Sequence, residues 1–281
     1  MTGGGETWLI YNGASGSHEE AALAALTERL RAAGYPPART LDCKDGTPDA
    51  RAAEAAGIGL MVVHGGDGTL SRTIGRLEGF SGRVLPLPGG TFNLLARSMF
   101  GERTPLEIVE LLGERRLTAL RRPCVRGEGV LALAELLAGP GAKWADVREE
   151  LREANIGEMI AKGWDAATTS AAGPTVTLSE PAAGREDGYA GVRLVPQPGG
   201  IAIEGYAAES LGDYLQHGVA ILKRDFREGP HDALGTAQDV ALRSLGDEPI
   251  ALMVDGERSE GSSRLRFSLD MLRVDLLGPS E

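Results

Sequence analysis

A pattern that recurs three times in the first hundred residues constrains the fold most strongly. Each time, a short apolar run ends in a glycine-containing loop, and a segment with helical periodicity follows. The apolar runs are Trp8–Tyr11, Leu60–Val63 and Val84–Leu85, and the loops after them are 12–17, 64–68 and 88–90. Strand, loop and helix in this order are typical of βαβ units on a parallel sheet, whose ligands bind beyond the carboxyl ends of the strands. We therefore predict that residues 1–118 form an α/β domain that binds a nucleotide or a phosphate.

The rest of the chain has a different sequence pattern. From about residue 174, short β-type runs such as Thr175–Leu178, Val192–Val195 and Ile201–Ile203 are separated by glycine and proline. Such spacing favours an antiparallel sheet or a sandwich. We predict a β-rich second domain over residues 119–264, with an inserted helical stretch near 130–162.

Composition and charge exclude several classes of protein. Glycine is enriched, at 40 of 281 residues, but it has no period of three, and 42% of the residues are hydrophobic, so neither a collagen-like nor a disordered chain fits. The formal net charge of -11 disfavours nucleic acid as a partner. Cys43 and Cys124 fit no zinc or redox spacing, and the first residues resemble no secretion signal. We expect a cytoplasmic protein.

The loop Gly65-Gly66-Asp67-Gly68-Thr69 carries the clearest chemistry. Glycines let backbone N–H groups converge on a phosphate, and the helix predicted from Thr69 would add its positive end. Asp67 would then hold a divalent cation or accept a proton from an attacking hydroxyl. The alternative is an Asp-Gly turn between strands, but residues 70–77 have a helical period, which favours the functional interpretation.

Two further loops have a similar character. In Leu87-Pro88-Gly89-Gly90-Thr91-Phe92-Asn93, two glycines precede a helix predicted over 91–99, and the Thr91 hydroxyl and Asn93 amide suit nucleotide recognition. A threonine cap after a proline-rich turn explains the same residues equally well. The segment Asn12-Gly13-Ala14-Ser15-Gly16 is a weak signal by itself. The common GxGxxG and Walker A patterns are absent.

Taken together, these motifs resemble the diacylglycerol kinase catalytic-domain family, which includes bacterial lipid kinases and the sphingosine and ceramide kinases. The resemblance rests on residues 65–69 followed by residues 87–98, on the loop from Asn12 to Gly16, and on Asp255-Gly256-Glu257 near the C-terminus. It implies an α/β nucleotide domain similar to those of NAD kinases and phosphofructokinases, rejoined by residues 265–281, together with a β-sandwich. It also implies ATP and Mg²⁺ in the cleft between the domains, with a lipid hydroxyl as phosphate acceptor.

Carried over by position, the resemblance assigns roles to individual residues. The catalytic carboxylates would be Asp67, Asp255 and Glu257, of which Asp67 and Asp255 would also bind the metal. The choice of general base between Asp67 and Asp255 stays open. The residues that would contact the nucleotide are Asn12, Ser15, Gly65, Gly66, Gly68, Thr69, Gly90, Thr91 and Asn93.

Departures from the family pattern keep alternatives open. Gly13 stands at the family's proline, His64 and Phe92 replace small residues, and Glu186–Gly188 is a weak candidate for the structural metal loop of some bacterial members. The first hypothesis is an ATP-dependent lipid kinase acting on a diacylglycerol-like lipid, with transient peripheral membrane contact. The alternatives are a catalytically weak nucleotide- or lipid-binding member of the same fold, and a soluble-substrate kinase of the NAD kinase type. The oligomeric state is left open, a dimer being one option.

Overall fold

The computed structural model describes residues 5–12, 17–143, 175–207 and 231–279. The chain divides into two compact units. The first unit comprises Met1–Pro123 and Met271–Glu281, and the second comprises Cys124–Asp270. The C-terminal segment therefore belongs to the first unit.

The described residues contain five α-helices and eighteen strands. The helices are α1 (Ser17–Ala32), α2 (Ala50–Ala55), α3 (Asp67–Arg76), α4 (Leu94–Phe100) and α5 (Pro105–Gly113). The strands are β1 (Glu6–Tyr11), β2 (Pro37–Asp42), β3 (Ile58–Gly65), β4 (Arg83–Pro88), β5 (Leu117–Leu120), β6 (Pro123–Gly127), β7 (Val130–Ala132), β8 (Leu136–Ala138), β9 (Val176–Glu180), β10 (Ala182–Ala183), β11 (Gly191–Gln197), β12 (Gly200–Tyr206), β13 (Asp232–Ala237), β14 (Asp239–Ser244), β15 (Ile250–Val254), β16 (Glu257–Gly261), β17 (Arg264–Met271) and β18 (Asp275–Pro279).

The first unit is built on one mixed sheet with the strand order β2-β1-β3-β4-β18-β5. All neighbouring strands are parallel except β18 and β5. The chain moves from β1 to one side for β2 and then to the other side for β3, so the order reverses between β1 and β3. Open α/β sheets bind ligands at such a reversal, outside the carboxyl ends of the strands. Here that position is next to Asn12 and Gly65.

Buried apolar residues fix the helices of this unit to the sheet. Leu26 and Leu30 of α1 pack with Leu9 of β1 and Val62 of β3 in one core cluster, which also includes residues of α5. The start of α5 is set by a capping box, in which Thr104 accepts the N–H of Glu107 and the Glu107 carboxylate accepts the N–H of Thr104. The predicted α/β character of this part of the chain is confirmed.

The described residues of the second unit form two six-stranded sheets. Their strand orders are β10-β9-β14-β17-β6-β7 and β13-β12-β11-β8-β15-β16. One apolar core receives side chains from both sheets, among them Leu242 and Phe267 from the first sheet, and Leu194 and Ile203 from the second. The β-rich character predicted for this part of the chain is therefore confirmed.

The helical stretch predicted near 130–162 is wrong over its first part. Residues 130–132 and 136–138 are strands β7 and β8, and the residues from 144 to 162 lie outside the described residues. The run from 130 to 138 is rich in leucine and alanine, which favours a helix locally. However, β8 pairs with β11 on one side and β15 on the other, and all three of its residues are buried. A continuous apolar run suits such a central strand, so tertiary pairing overrides the local preference. In the described part of the chain, no helix combines the length and apolar character that a membrane crossing requires.

Candidate functional site

The carboxyl ends of β1 and β3 meet at the point where the strand order reverses. The Asn12 N–H donates to the His64 carbonyl at 3.2 Å, which joins the residue after β1 to the end of β3. Asn12 is exposed at this edge. Ser15, which the sequence predicts as a nucleotide contact, lies outside the described residues. The described part of this edge is thus formed by Asn12 and by the loop that leads from β3 into α3.

Asp67 is the first residue of α3 and is only 7% exposed. The helix therefore begins two residues earlier than predicted, with Gly66 as its cap. One carboxylate oxygen of Asp67 accepts the backbone N–H of Leu95, in the first turn of α4, at 3.3 Å. A carboxylate at this end of α3 is stabilised by the helix dipole. Asp67 is thereby held in a defined position beyond the carboxyl end of β3.

The glycines of the two loops allow the backbones to approach closely. A Cβ built on Gly90 would lie 2.5 Å from the Cα of Gly66, and one built on Gly89 would lie 2.9 Å from the Cα of Gly65. A Cβ on Gly65 would lie 2.8 Å from the Cβ of Thr69, whose side chain is buried against it. The glycines of the motif are therefore needed for the close packing of the two loops, in addition to any phosphate contact.

This packing predicts that alanine is tolerated at Gly66 but not at Gly90. A Cβ on Gly66 would make ordinary contact with the Gly90 Cα, at 3.4 Å, whereas the 2.5 Å contact of Gly90→Ala forces the loops apart. We expect Gly90→Ala to lower the free energy of unfolding by about 1–3 kcal/mol, as overpacking does, and to abolish nucleotide binding. Gly66→Ala is the matched control for stability. Thermal unfolding compares the two variants, and calorimetric titration with ATP measures the loss of binding in Gly90→Ala. An equal loss of stability in the two variants would contradict the packing argument.

Asn93 serves the loop rather than an open binding surface. Its side-chain oxygen accepts the N–H groups of Gly89 at 3.0 Å and Gly90 at 2.7 Å, and its amide nitrogen donates to the Gly90 carbonyl at 2.8 Å. Asn93 has a φ of 53°, so α4 begins at Leu94 instead of the predicted Thr91. This geometry argues against the predicted nucleotide contact of the Asn93 amide. Thr91 is exposed, and Gly68 is half-buried in the first turn of α3.

The Asp255-Gly256-Glu257 motif forms the turn of a β-hairpin. Val254 of β15 pairs with Glu257 of β16, and the two residues between them have φ values of 47° and 83°. Positive φ at both central positions is the type I′ pattern for which Asp-Gly is preferred. Glu257 is exposed at the start of β16. The motif thus has a structural reason that is independent of catalysis.

The Asp255 carboxylate is fully buried and holds another segment of the same unit. Its oxygens accept the backbone N–H groups of Leu133 at 2.8 Å, Ala134 at 2.8 Å and Glu135 at 2.9 Å. The Asp255 N–H in turn donates to the Glu135 carbonyl at 2.9 Å. Three backbone donors thus occupy the oxygens of Asp255, which supports a structural role. The metal-binding or proton-accepting role expected of Asp255 stays a prediction.

The segment that Asp255 holds also carries a partly buried ion network that the sequence analysis missed. Glu135 is 3% exposed, and it accepts a hydrogen bond from Arg193 of β11 at 2.7 Å. Arg193 also pairs with Glu204 of β12 at 2.9 Å, and the Tyr206 hydroxyl donates to the same Glu204 oxygen at 2.8 Å. The available signal was a charged residue inside an apolar run, as with Glu135 in residues 129–142.

This network predicts a pH dependence of stability. Burial raises the pKa of the Glu204 carboxyl, but attraction by Arg193 and hydrogen bonds from Tyr206 and Arg193 outweigh it, so the pKa is lowered overall. A lowered pKa in the folded state gives stability that is present above the unfolded value of about 4.3 and lost as the pH falls through the folded value. Between pH 6 and pH 3, we expect Glu204→Gln to show a smaller fall in unfolding midpoint than the parent chain. Glu260→Gln, on the exposed side of β16, is the control; a parallel fall in all three proteins would refute the role of Glu204.

The candidate carboxylates are distributed over both units. Asp67 belongs to the first unit, and Asp255 and Glu257 belong to the second. Among the described residues, no group of three or more histidine, cysteine, aspartate or glutamate side chains could hold a metal ion. A preformed protein cage for a metal is therefore not found in that part of the chain.

Known proteins resemble this chain in two ways. Residues 6–121 match the family model of the diacylglycerol kinase catalytic domain, which confirms the resemblance predicted from the sequence. The curated "Probable lipid kinase YegS-like" of Chromohalobacter salexigens is 34% identical over 113 residues, which cover 38% of this chain and 36% of that protein. The match thus spans about a third of the curated relative.

Solved structures share the fold over nearly the whole chain. A diacylglycerol kinase from Bacillus anthracis str. Sterne superposes with a TM-score of 0.64 at 15% identity, covering 97% of this chain and 96% of that one. A second structure from the same strain gives a TM-score of 0.63 at 18% identity, with the same coverage. At these identities the likeness concerns the fold.

Proposed function

We propose that this chain, whose residues 6–121 match the diacylglycerol kinase catalytic domain, is an ATP-dependent lipid kinase that transfers the γ-phosphate to the hydroxyl of a diacylglycerol-like lipid. The observation that carries the proposal is the position of Asp67. Its carboxylate is nearly buried at the start of α3, beyond the carboxyl end of β3 and beside two glycine loops. A carboxylate fixed where phosphate is expected suits a kinase better than a module that only binds anions.

In this proposal, the residues of the first unit have different roles. The backbone around Gly65, Gly66 and Gly68, together with the start of α3, receives the nucleotide phosphates, because a helix N-terminus favours anions. Further nucleotide contacts come from the remaining predicted residues, Asn12, Ser15, Thr69, Gly90 and Thr91. Asn93 acts by keeping the Gly89–Gly90 backbone in place. Asp67 accepts the proton of the acceptor hydroxyl or orients it. Glu257, which belongs to the second unit, is proposed as a further catalytic carboxylate.

The donor set around Asp67 fits Mg²⁺. This ion is commonly bound through one or two carboxylates and the phosphates of the substrate, so it needs no cluster of protein ligands. Asp67 would hold it, and when bound it would neutralise charge on the phosphate oxygens. The likeness of the first unit to NAD kinases and phosphofructokinases remains a prediction, as does the peripheral membrane contact.

A binding-only member of the fold is the second candidate. It is favoured by one observation, the three backbone N–H groups that the Asp255 carboxylate accepts, since a carboxylate bound in this way is less available for catalysis. Such a protein would bind ATP without turnover. A soluble-substrate kinase would phosphorylate NAD in the absence of lipid.

Radiolabelled ATP distinguishes the three functions. The full chain is incubated with Mg²⁺ and vesicles that contain diacylglycerol, sphingosine or ceramide, and in parallel with NAD and no lipid. We expect label in the organic phase with diacylglycerol. Transfer to NAD alone would support the soluble-substrate kinase, and ATP binding by calorimetry without any transfer would support the binding module; either result would overturn the proposal.

A further inference from the structure

A cavity of about 440 Å³ lies in the first unit, at the amino ends of the parallel strands. It is lined by residues at the starts of three strands, including Thr7, Leu60 and Arg83, and by Leu112 and Arg115 at the end of α5. The glycine loops are at the carboxyl ends of the same strands, so the cavity is separate from the proposed phosphate site. Its volume falls within the range of about 300–1,000 Å³ that is usual for small-ligand sites.

The cavity combines an apolar floor with two arginines. Leu60, Leu112 and Leu277 line it from the core of the unit, each no more than 6% exposed. Arg83 and Arg115 are exposed lining residues, and none of the described lining residues is acidic. Such a lining suits an anion that carries an aliphatic chain.

The acidic residue next to Arg115 in the chain and the one beside Arg83 in the sheet form ion pairs with other arginines. Glu114, which precedes Arg115, forms an ion pair with Arg116 at 3.3 Å. Asp275, the in-register neighbour of Arg83, forms an ion pair with Arg121 at 2.9 Å. Within the described ranges, the side chains of Arg83 and Arg115 make no hydrogen bond or ion pair. Two cationic groups are therefore available to a ligand.

The backbone at Arg115 is strained. The C-terminal end of α1 has the same hydrogen-bond pattern without this strain. After α5, the Arg115 N–H donates to the Leu112 carbonyl and the Arg116 N–H to the Leu111 carbonyl, with a φ of 58° at Arg115. After α1, the same pair of hydrogen bonds is made with Gly34 at the position of positive φ. Glycine is the usual residue there because a Cβ is unfavourable. An arginine at such a position, with its side chain lining a cavity, indicates a function for that side chain.

We propose that this cavity binds an amphiphilic anion, a monoalkyl phosphate or a fatty-acid carboxylate, with its head between Arg83 and Arg115 and its chain on the leucine floor. Guanidinium groups bind both heads through paired N–H donors. The site is independent of the proposed kinase activity. It takes a different ligand, it is formed by different residues, and it lies at the opposite end of the strands.

The test is calorimetric titration of the full chain, without ATP, with octyl phosphate and octanoate below their micelle concentrations. We expect binding of at least one of them, with inorganic phosphate and octanol each at least tenfold weaker. Arg115→Gly and Arg83→Gln should each weaken binding about 10- to 100-fold, as expected for the loss of a charge-assisted contact. Arg116→Gln, one residue away and outside the lining, is the matched control.

Arg115→Gly also shows whether a loss of binding results from a loss of the fold. Because glycine relieves the positive φ, the unfolding midpoint should rise by about 1–3 °C while binding is lost. Loss of binding with a lowered midpoint would indicate a structural role and overturn the assignment. No binding to the parent chain, equal binding in Arg115→Gly, or equal binding of octanol would also overturn it.

Discussion

Asp67→Asn is expected to lower lipid phosphorylation by about 10²- to 10⁴-fold, the range in which a positioned acid or base contributes to catalysis. The substitution keeps the size of the side chain and the oxygen that accepts the Leu95 N–H. It removes the charge that would hold Mg²⁺ or take the proton of the lipid hydroxyl. We therefore expect the loss to occur in kcat, with an unfolding midpoint close to that of the parent chain. Initial rates at varied diacylglycerol and ATP, together with thermal unfolding, measure both quantities.

Asp49→Asn is the matched control for this experiment. Asp49 also lies at the N-terminus of a helix, where its carboxylate accepts the N–H of Ala52 at 2.8 Å. Asparagine caps helices about as well as aspartate, so this variant should retain both stability and activity. Full phosphorylation by Asp67→Asn would remove Asp67 from the catalytic machinery. A similar loss in Asp49→Asn would assign the effect to helix termini in general.

The sheet of the first unit could be predicted because its signals are local. The run Leu60–Val63 is continuous and apolar, and the helical period after Asp67 is regular, so β3 and α3 were found to within a few residues. The predicted start of α4 was three residues early, because the left-handed backbone of Asn93 delays the helix. Asparagine is enriched in that conformation, but a single residue type does not identify it.

Some contacts of the candidate site residues could be predicted from the sequence, and others could not. Each glycine loop is contiguous in sequence, with Asp67 inside the first, and the structure brings residues 65–66 against residues 89–90. In contrast, the partners of Asp255 lie about 120 residues earlier in the chain. Residue spacing does not reveal such a pairing, and the catalytic role of Asp255 was inferred from the family resemblance alone. The local signal, Asp-Gly between two β-type runs, predicts a hairpin turn and is what the structure contains.

Asp255→Ala is expected to destabilise the second unit strongly. It leaves the N–H groups of residues 133–135 without their acceptor in a buried environment, at a cost of about 1–3 kcal/mol for each group that finds no new partner. It also places alanine at a φ of 47°. We expect the free energy of unfolding to fall by at least about 3 kcal/mol, beyond the usual range for point mutations. Urea unfolding measures the total, and hydrogen exchange at residues 133–135 measures the local loss.

Two variants separate the contributions and test the role assigned to each residue of the motif. Asp247→Ala places alanine at a similar φ of 57° in an exposed turn, so it measures the backbone strain without the loss of the buried carboxylate. It should cost far less than Asp255→Ala. Glu257→Gln, on the exposed neighbour in the motif, should leave the unfolding midpoint unchanged and lower lipid phosphorylation. Because Asp255 acts on the fold and Glu257 is proposed to act on the substrate, the two variants should show opposite patterns of stability and activity. A stable, inactive Asp255→Ala with unchanged exchange at residues 133–135 would return Asp255 to the catalytic set.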